Sequence, residues 1–190
     1  MLARSILTAF LAVAMCFSVS AADNNEEAWD ALRDGRAVLM LRHALAPGTG
    51  DPGNFDLNDC STQRNLNDTG REQARAWKPF LADHGITEAR VFSSQWCRCM
   101  DTATGMNMGE VTEWPSLNSF FRNRGDGPTQ TRQTITLVNQ LEEGAPVILV
   151  SHQVNITGLT GIFPSSNEGA IIALPLSEDP TVLARVSPGR

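Results

Sequence analysis

The order of apolar segments predicts an α/β fold: a three-layer sandwich with a mostly parallel central sheet, helices on both faces and a C-terminal hairpin. Three observations predict it. Continuous apolar runs at 37–42, 89–94 and 145–152 read as strands buried on both faces. Segments of helical period lie between them, as the crossovers of a parallel sheet require. The last apolar stretches, on either side of Glu178–Pro180, read as two strands joined by a short connection.

Residues 1–22 have the layout of an export signal. Arg4 supplies the basic start, Ile6 to Val19 the apolar stretch, and Ser20, Ala21 and Ala22 the small residues before cleavage. The apolar stretch falls short of the roughly 20 residues that a membrane span needs. A removed leader is therefore expected, with residues 23–190 forming one domain, periplasmic or secreted, without stable membrane insertion. From Ala28 the chain reads as a short helix stopped at Gly35, then the first strand, Ala37–Arg42. In 67–85, Ala74, Trp77, Phe80 and Leu81 recur at helical spacing, and Gly85 closes the helix. The second strand ends at Ser93-Ser94, with Ser94 placed to cap the helix that follows. Residues 110–130 read as irregular, punctuated by Pro115, Gly125, Gly127 and Pro128. A helix over 131–144, the third strand and a short helix from Val154 lead to the hairpin.

The formal net charge is −6, and loss of Arg4 with the leader makes the remainder one unit more negative. That balance argues against a nucleic-acid partner, which calls for a basic surface. Lys78 is the only lysine, so an anionic ligand would meet arginine, the side chain shaped to grip phosphate in a fork. Beyond the leader the cysteines are Cys60, Cys97 and Cys99. Outside the cytosol they predict one disulfide, Cys60 to Cys97 or Cys60 to Cys99, with one thiol left over. A three-cysteine zinc site is the competing reading, but the spacing matches no structural zinc pattern.

In open α/β sheets ligands bind beyond the carboxyl ends of the strands. Here those ends carry Arg42-His43, then Ser93-Ser94 with Arg98 following, then Ser151-His152. Two arginines, two imidazoles and a helix N-terminus at one edge suit a phosphoryl group. Ser94, Arg98 and Thr102 are expected on one helix face. His84, at a helix C-terminus, reads as structural. Gln63, Arg64, Arg122 and Arg124 fall in loops expected at the rim, with Arg64 the candidate for substrate binding. Phe120 and Phe121 read as core or loop anchors.

These residues resemble the histidine phosphatase (phosphoglycerate-mutase-like) superfamily. Arg42-His43-Ala44 is similar to its Arg-His-Gly. "NLNDTGREQA" resembles its Gly-x-x-Gln-Ala helix start, and "SSQWCRCMDTA" its Ser-Ser-x-x-x-Arg-x-x-x-Thr-Ala. "VILVSHQVNI" resembles the strand that bears the second histidine. The likeness runs from about Val38 to Gly161, and the exported form resembles the lipopolysaccharide core heptose phosphate phosphatases. The resemblance implies a metal-independent phosphomonoesterase that needs no cofactor and acts on a small-molecule or glycan phosphate ester. His43 would be the nucleophile through a phosphohistidine; Arg42, Arg98 and His152, protonated or donating, would hold the phosphoryl group. Two positions depart from the family: Ala44 replaces glycine, and Ser119 stands where a glutamate proton donor is usual. Asp126 is the substitute donor, ahead of Asp51 and Asp101. A binding protein that has lost catalysis and a phosphomutase are the alternatives. A metal hydrolase using His43 and His152 lacks the dense ligand spacing that metal sites have.

Overall fold

The computed structural model describes residues 21–189, so residues 1–20 of the expected leader lie outside the described residues. The strands are β1 (Ala37–Arg42), β2 (Arg90–Ser93), β3 (Val111–Glu113), β4 (Val147–Ser151), β5 (Gly169–Ala173) and β6 (Val182–Val186). They form one sheet in the order β3-β2-β4-β1-β5-β6. The first four run parallel, and β5 pairs antiparallel with β1 and with β6. The helices are α1 (Ala21–Arg33), α2 (Asp68–Asp83), α3 (Cys97–Met106), α4 (Gly127–Asn139) and α5 (Gln153–Thr160).

The continuous apolar runs are explained by burial on both faces. Leu39, Leu41, Val91, Ile148 and Val150 face one core, against Trp29 and Leu32 of α1, Trp77 and Leu81 of α2, and Ala103 and Met106 of α3. The alternate residues Val38, Met40, Val147 and Leu149 face a second core, against Val138 of α4 and Ile156 and Leu159 of α5. β1, β2 and β4 thus each contribute to two cores by their period of two, with Phe92 of β2 in the second. Fully burying an aliphatic side chain stabilises by roughly 1.5–3 kcal/mol. The order β2-β4-β1 sets three chemistry-bearing strand ends side by side.

Four elements differ from the sequence expectation. α1 begins at Ala21 rather than near Ala28. β3 is an edge strand of only 3 residues, with no alternation to announce it. α4 starts at Gly127 because Pro128 sits in its first turn, where the missing N–H costs nothing. Ser94 is not the cap of α3: the chain runs two residues further, and Trp96 is the N-cap without a side-chain bond. His84 is structural as expected, stacked on Trp29 at 3.9 Å.

Candidate active site at the carboxyl edge of the sheet

His43 continues the β1·β4 ladder, its N–H donating to Ser151 O at 2.9 Å, and the ring is 2% exposed. Its Nδ1 lies 2.7 Å from Ala44 O. A carbonyl accepts only, so the proton is on Nδ1 and Nε2 carries the lone pair. Arg98 Nε–H points at that lone pair from 3.2 Å. Burial first, then the charge of Arg98, pushes the His43 pKa well below 6.5; the Ala44 carbonyl opposes the shift, and Arg42 and Arg64 add to it. His43 is a neutral imidazole with an unprotonated Nε2.

His152 follows β4, its ring centroid 5.5 Å from that of His43. Nδ1 accepts from Arg98 Nη2 at 3.4 Å, which leaves Nε2–H to donate to Ser94 Oγ at 2.8 Å. Ser94 Oγ in turn donates to Asn118 Oδ1 at 3.2 Å. Burial, then Arg98 and His43, pushes this pKa well below 6.5 also. Of the two expectations for His152, protonated or donating, the geometry fits the second: it donates through Nε2. Ser94 Oγ meets the histidine, and it also accepts from the N–H of Trp96, the N-cap residue, at 3.3 Å.

Both rings touch the guanidinium of Arg98, itself 3% exposed. A buried cation needs a counter-ion, and Asp51 supplies it at 2.7 Å to Nη1 and 3.2 Å to Nη2. Arg42 is half-buried, donates from Nη1 to Pro164 O at 3.1 Å, and has no partner at Nε. Burial and the charge of Arg98 lower its pKa. Arg64 lines the same cavity while its Nε donates to Gly50 O at 2.8 Å and its Nη1 to Ala46 O.

The resembling motifs have local physical reasons. A Cβ at position 70 would sit 2.2 Å from Leu45 O, and Gln73 Oε1 accepts from Leu45 N–H at 2.9 Å. Gly70 and Gln73 thus clamp the loop just after His43. Thr102 Oγ1 accepts from Ala44 N–H at 3.0 Å and donates to Arg98 O at 2.7 Å, tying that loop to α3. Asn167, in the left-handed region at φ 65, donates from its N–H to His43 O at 3.2 Å and accepts from Trp77 Nε1 at 2.7 Å.

Cys60 and Cys97 are bridged, closing a separation of 37 residues and fastening the 44–66 loop to the start of α3. This selects one of the two expected pairings and removes the three-cysteine zinc reading. Cys99 is free, and burial pushes its thiol up to about 12, so it is not a thiolate nucleophile.

The cavity holds about 350 Å³ and is lined by Arg42, His43, Arg64, Arg98 and His152 on its floor. Its wall includes Asp51, Phe55, Trp96, Ser119, Phe120, Phe121, Arg122 and Asp126. Asp126 is exposed and makes no side-chain hydrogen bond among the described residues, whereas Asp101 is on the exposed side of α3, away from the cavity. Two rim expectations are corrected. Gln63 is buried, accepts from Cys97 N–H at 3.0 Å and donates to Asp56 O, so it braces the loop. Arg124 lies over Phe121 and does not line the cavity. Sequence reasoning missed Phe55 and Trp96, stacked at 5.0 Å, and the tie between Asp51 and Arg98. The glycines around Asp51 were the only signal, and they read equally as a plain turn.

An α/β sheet whose parallel edge gathers two neutral imidazoles and two arginines defines a phosphate-handling class of enzyme. A family model described as "Histidine phosphatase superfamily (branch 1)" matches residues 38–134, so the chain belongs to that superfamily and is a histidine-type phosphatase. Solved structures share the fold. The protein histidine phosphatase SixA complexed with tungstate is 20% identical, over 80% of this chain and 97% of that one, with a TM-score of 0.58. A putative phosphohistidine phosphatase SixA from Agrobacterium tumefaciens is also 20% identical, over 82% and 99%, at 0.55. Mycobacterial glucosyl-3-phosphoglycerate phosphatase complexed with VO3 is 17% identical, over 77% and 96%, at 0.56. No curated protein matches the chain significantly in sequence.

Proposed function

We propose that the protein is an exported, metal-independent phosphomonoesterase that carries the phosphoryl group on His43. The single observation behind this is the fixed tautomer of His43: Nδ1–H held by Ala44 O, and the Nε2 lone pair beside the Arg98 guanidinium. In the first step Nε2 forms an N–P bond as the ester P–O bond breaks. In the second, water attacks phosphorus, the N–P bond breaks and inorganic phosphate leaves. Arg42 and Arg98 offset the charge on the transferring group, each charge-assisted bond contributing about 1.5–3 kcal/mol.

With serine at 119, the leaving oxygen has two carboxyls nearby in the cavity, Asp51 and Asp126. Asp51 is ion-paired to Arg98, which makes it a poor acid. Asp126 is the proposed proton donor. The substrate is a small-molecule or glycan phosphate ester; a cavity of about 350 Å³ with Phe55, Trp96 and Arg122 in its wall leaves room for more than the phosphate itself. Export is supported by the leader-like start and by the Cys60–Cys97 bridge, a bond that persists outside the cytosol.

Hydrolysis of an aryl phosphate tests the reading. The expected result is turnover that EDTA leaves intact, vanadate suppresses and His43→Ala abolishes. Turnover lost to EDTA, or retained by His43→Ala, overturns it.

A further inference from the structure

The guanidinium of Arg98 has two working edges. Its end, Nη1 and Nη2, grips the Asp51 carboxylate at 2.7 and 3.2 Å. Its side, Nε and Nη2, faces His43 Nε2 at 3.2 Å and His152 Nδ1 at 3.4 Å. We infer that Asp51 is a positioning residue of the phosphatase, holding Arg98 end-on so that its side edge is presented to a phosphoryl group lying between the two histidines.

Asp51 is itself held on several sides. Oδ1 accepts from Arg64 N–H at 3.2 Å, and Oδ2 accepts from Trp96 Nε1–H at 3.3 Å. Arg122 Nη2 donates to the main-chain carbonyls of Asp51 and Pro52 at 2.6 and 2.7 Å. Gly48 at φ 94 and Gly50 at φ 71 let the loop fold back over the site. The Cys60–Cys97 bridge fastens the same loop next to Trp96 and Arg98. A carboxylate restrained this closely fixes its partner, whereas an arginine without an end-on partner rotates among its rotamers. Burial pushes the Asp51 carboxyl up, but the hydrogen bonds and charge of Arg98 outweigh it and hold Asp51 below the ordinary range, so the ion pair persists at neutral pH.

This role rests on the phosphatase reading, and the experiment separates the two. Vanadate inhibition and kcat/KM for an aryl phosphate are measured for wild type, Asp51→Asn, Asp51→Glu and Trp96→Phe, with melting temperature alongside. Wild type that neither turns over nor binds vanadate defeats the phosphatase reading. With wild type active, Asp51→Asn is expected to raise the vanadate Ki and lower kcat/KM by about 10- to 100-fold, the scale of a lost charge-assisted bond. Asp51→Glu recovers most of that loss. Trp96→Phe removes one donor that holds Asp51 but keeps an aromatic ring, and is expected to shift both in the same direction by about 2- to 10-fold. It decides the question if Asp51→Asn does not fold. Tighter vanadate binding in Asp51→Asn overturns the inference, since Asp51 would then be an internal anion competing for the arginine. A lowered melting temperature with unchanged vanadate inhibition also overturns it, leaving Asp51 as an anchor of the loop alone.

Discussion

The floor of the cavity is made by the ends of β1, β2 and β4, the first turn of α3 and Arg64, whereas its wall is made by two loops, 48–55 and 119–126, together with Trp96. On the floor, His43, Ser94 and His152 sit where backbone ladders end, and Ser94 N–H still donates to Val150 O at 2.9 Å. Their positions follow from sheet register, which a buried apolar pattern fixes strongly. On the wall, Asp51 and Arg122 are positioned by side-chain bonds and Phe55 by stacking on Trp96, and the Cys60–Cys97 bridge fastens the loop that carries Asp51 and Phe55. The difference separates tasks. In the proposed mechanism the floor makes and breaks the bonds to phosphorus, while the wall faces the leaving group, steadies Arg98 and supplies a proton.

Substitutions sharpen that division. His43→Ala should have the largest effect, lowering kcat for an aryl phosphate by roughly a thousandfold or more, as loss of a covalent nucleophile does. Arg98→Ala should follow at about 10- to 100-fold or beyond, exceeding Arg42→Ala, because it also strands the Asp51 carboxylate in a mostly buried place. A wall residue should behave differently. Asp126→Asn should leave aryl phosphate turnover within about threefold and reduce alkyl phosphate turnover by about tenfold or more, since only the alkoxide needs an acid. Wild type should itself prefer aryl over alkyl esters, with Ser119 in place of a glutamate. Alkyl phosphate turnover that Asp126→Asn leaves unchanged would place the acid elsewhere.

Two stability measurements probe the same contrast more gently. Cys60→Ser with Cys97→Ser should lower unfolding free energy by about 2–4 kcal/mol in denaturant titrations, with the loss read first as mobility of the wall loop. Acid should act on the floor. Both histidine pKa values are depressed in the folded state, so below about pH 6.5 the unfolded chain takes up protons that the folded one refuses. Stability should then fall as pH drops from about 6.5. His43→Asn should flatten that slope, which a melting series across pH 5–8 would record.

How much was legible in the sequence follows the same line. β1, β2, β4 and β5 could be read because burial on both faces leaves unbroken apolar runs, and strand ends then locate Arg42, His43 and His152. Arg98 could be read because it follows the second strand end in the first turn of a helix, in a stretch that resembles the family's Ser-Ser-x-x-x-Arg. β3 could not, since a three-residue edge strand carries no period. The contact of Ser94 with His152 was not legible because position alone does not reveal that β4 brings His152 to 2.8 Å. Asp51 is 47 residues from Arg98 in a glycine-rich turn, where an acid reads as solvated. Which of the two roles of His152, protonated or donating, applies could not be read for a similar reason. Burial and the nearness of three cations are properties of the fold, absent from any local pattern.

The central claim is that phosphate passes through Nε2 of His43, and trapping the intermediate tests it most directly. The enzyme would be mixed with a phosphate ester, quenched in alkali within milliseconds and digested for mass spectrometry. The expected result is a phosphoryl group, stable in alkali and lost in acid, mapped to His43 and missing from His43→Ala. Phosphate on any other residue, or on His43→Ala, would contradict the account.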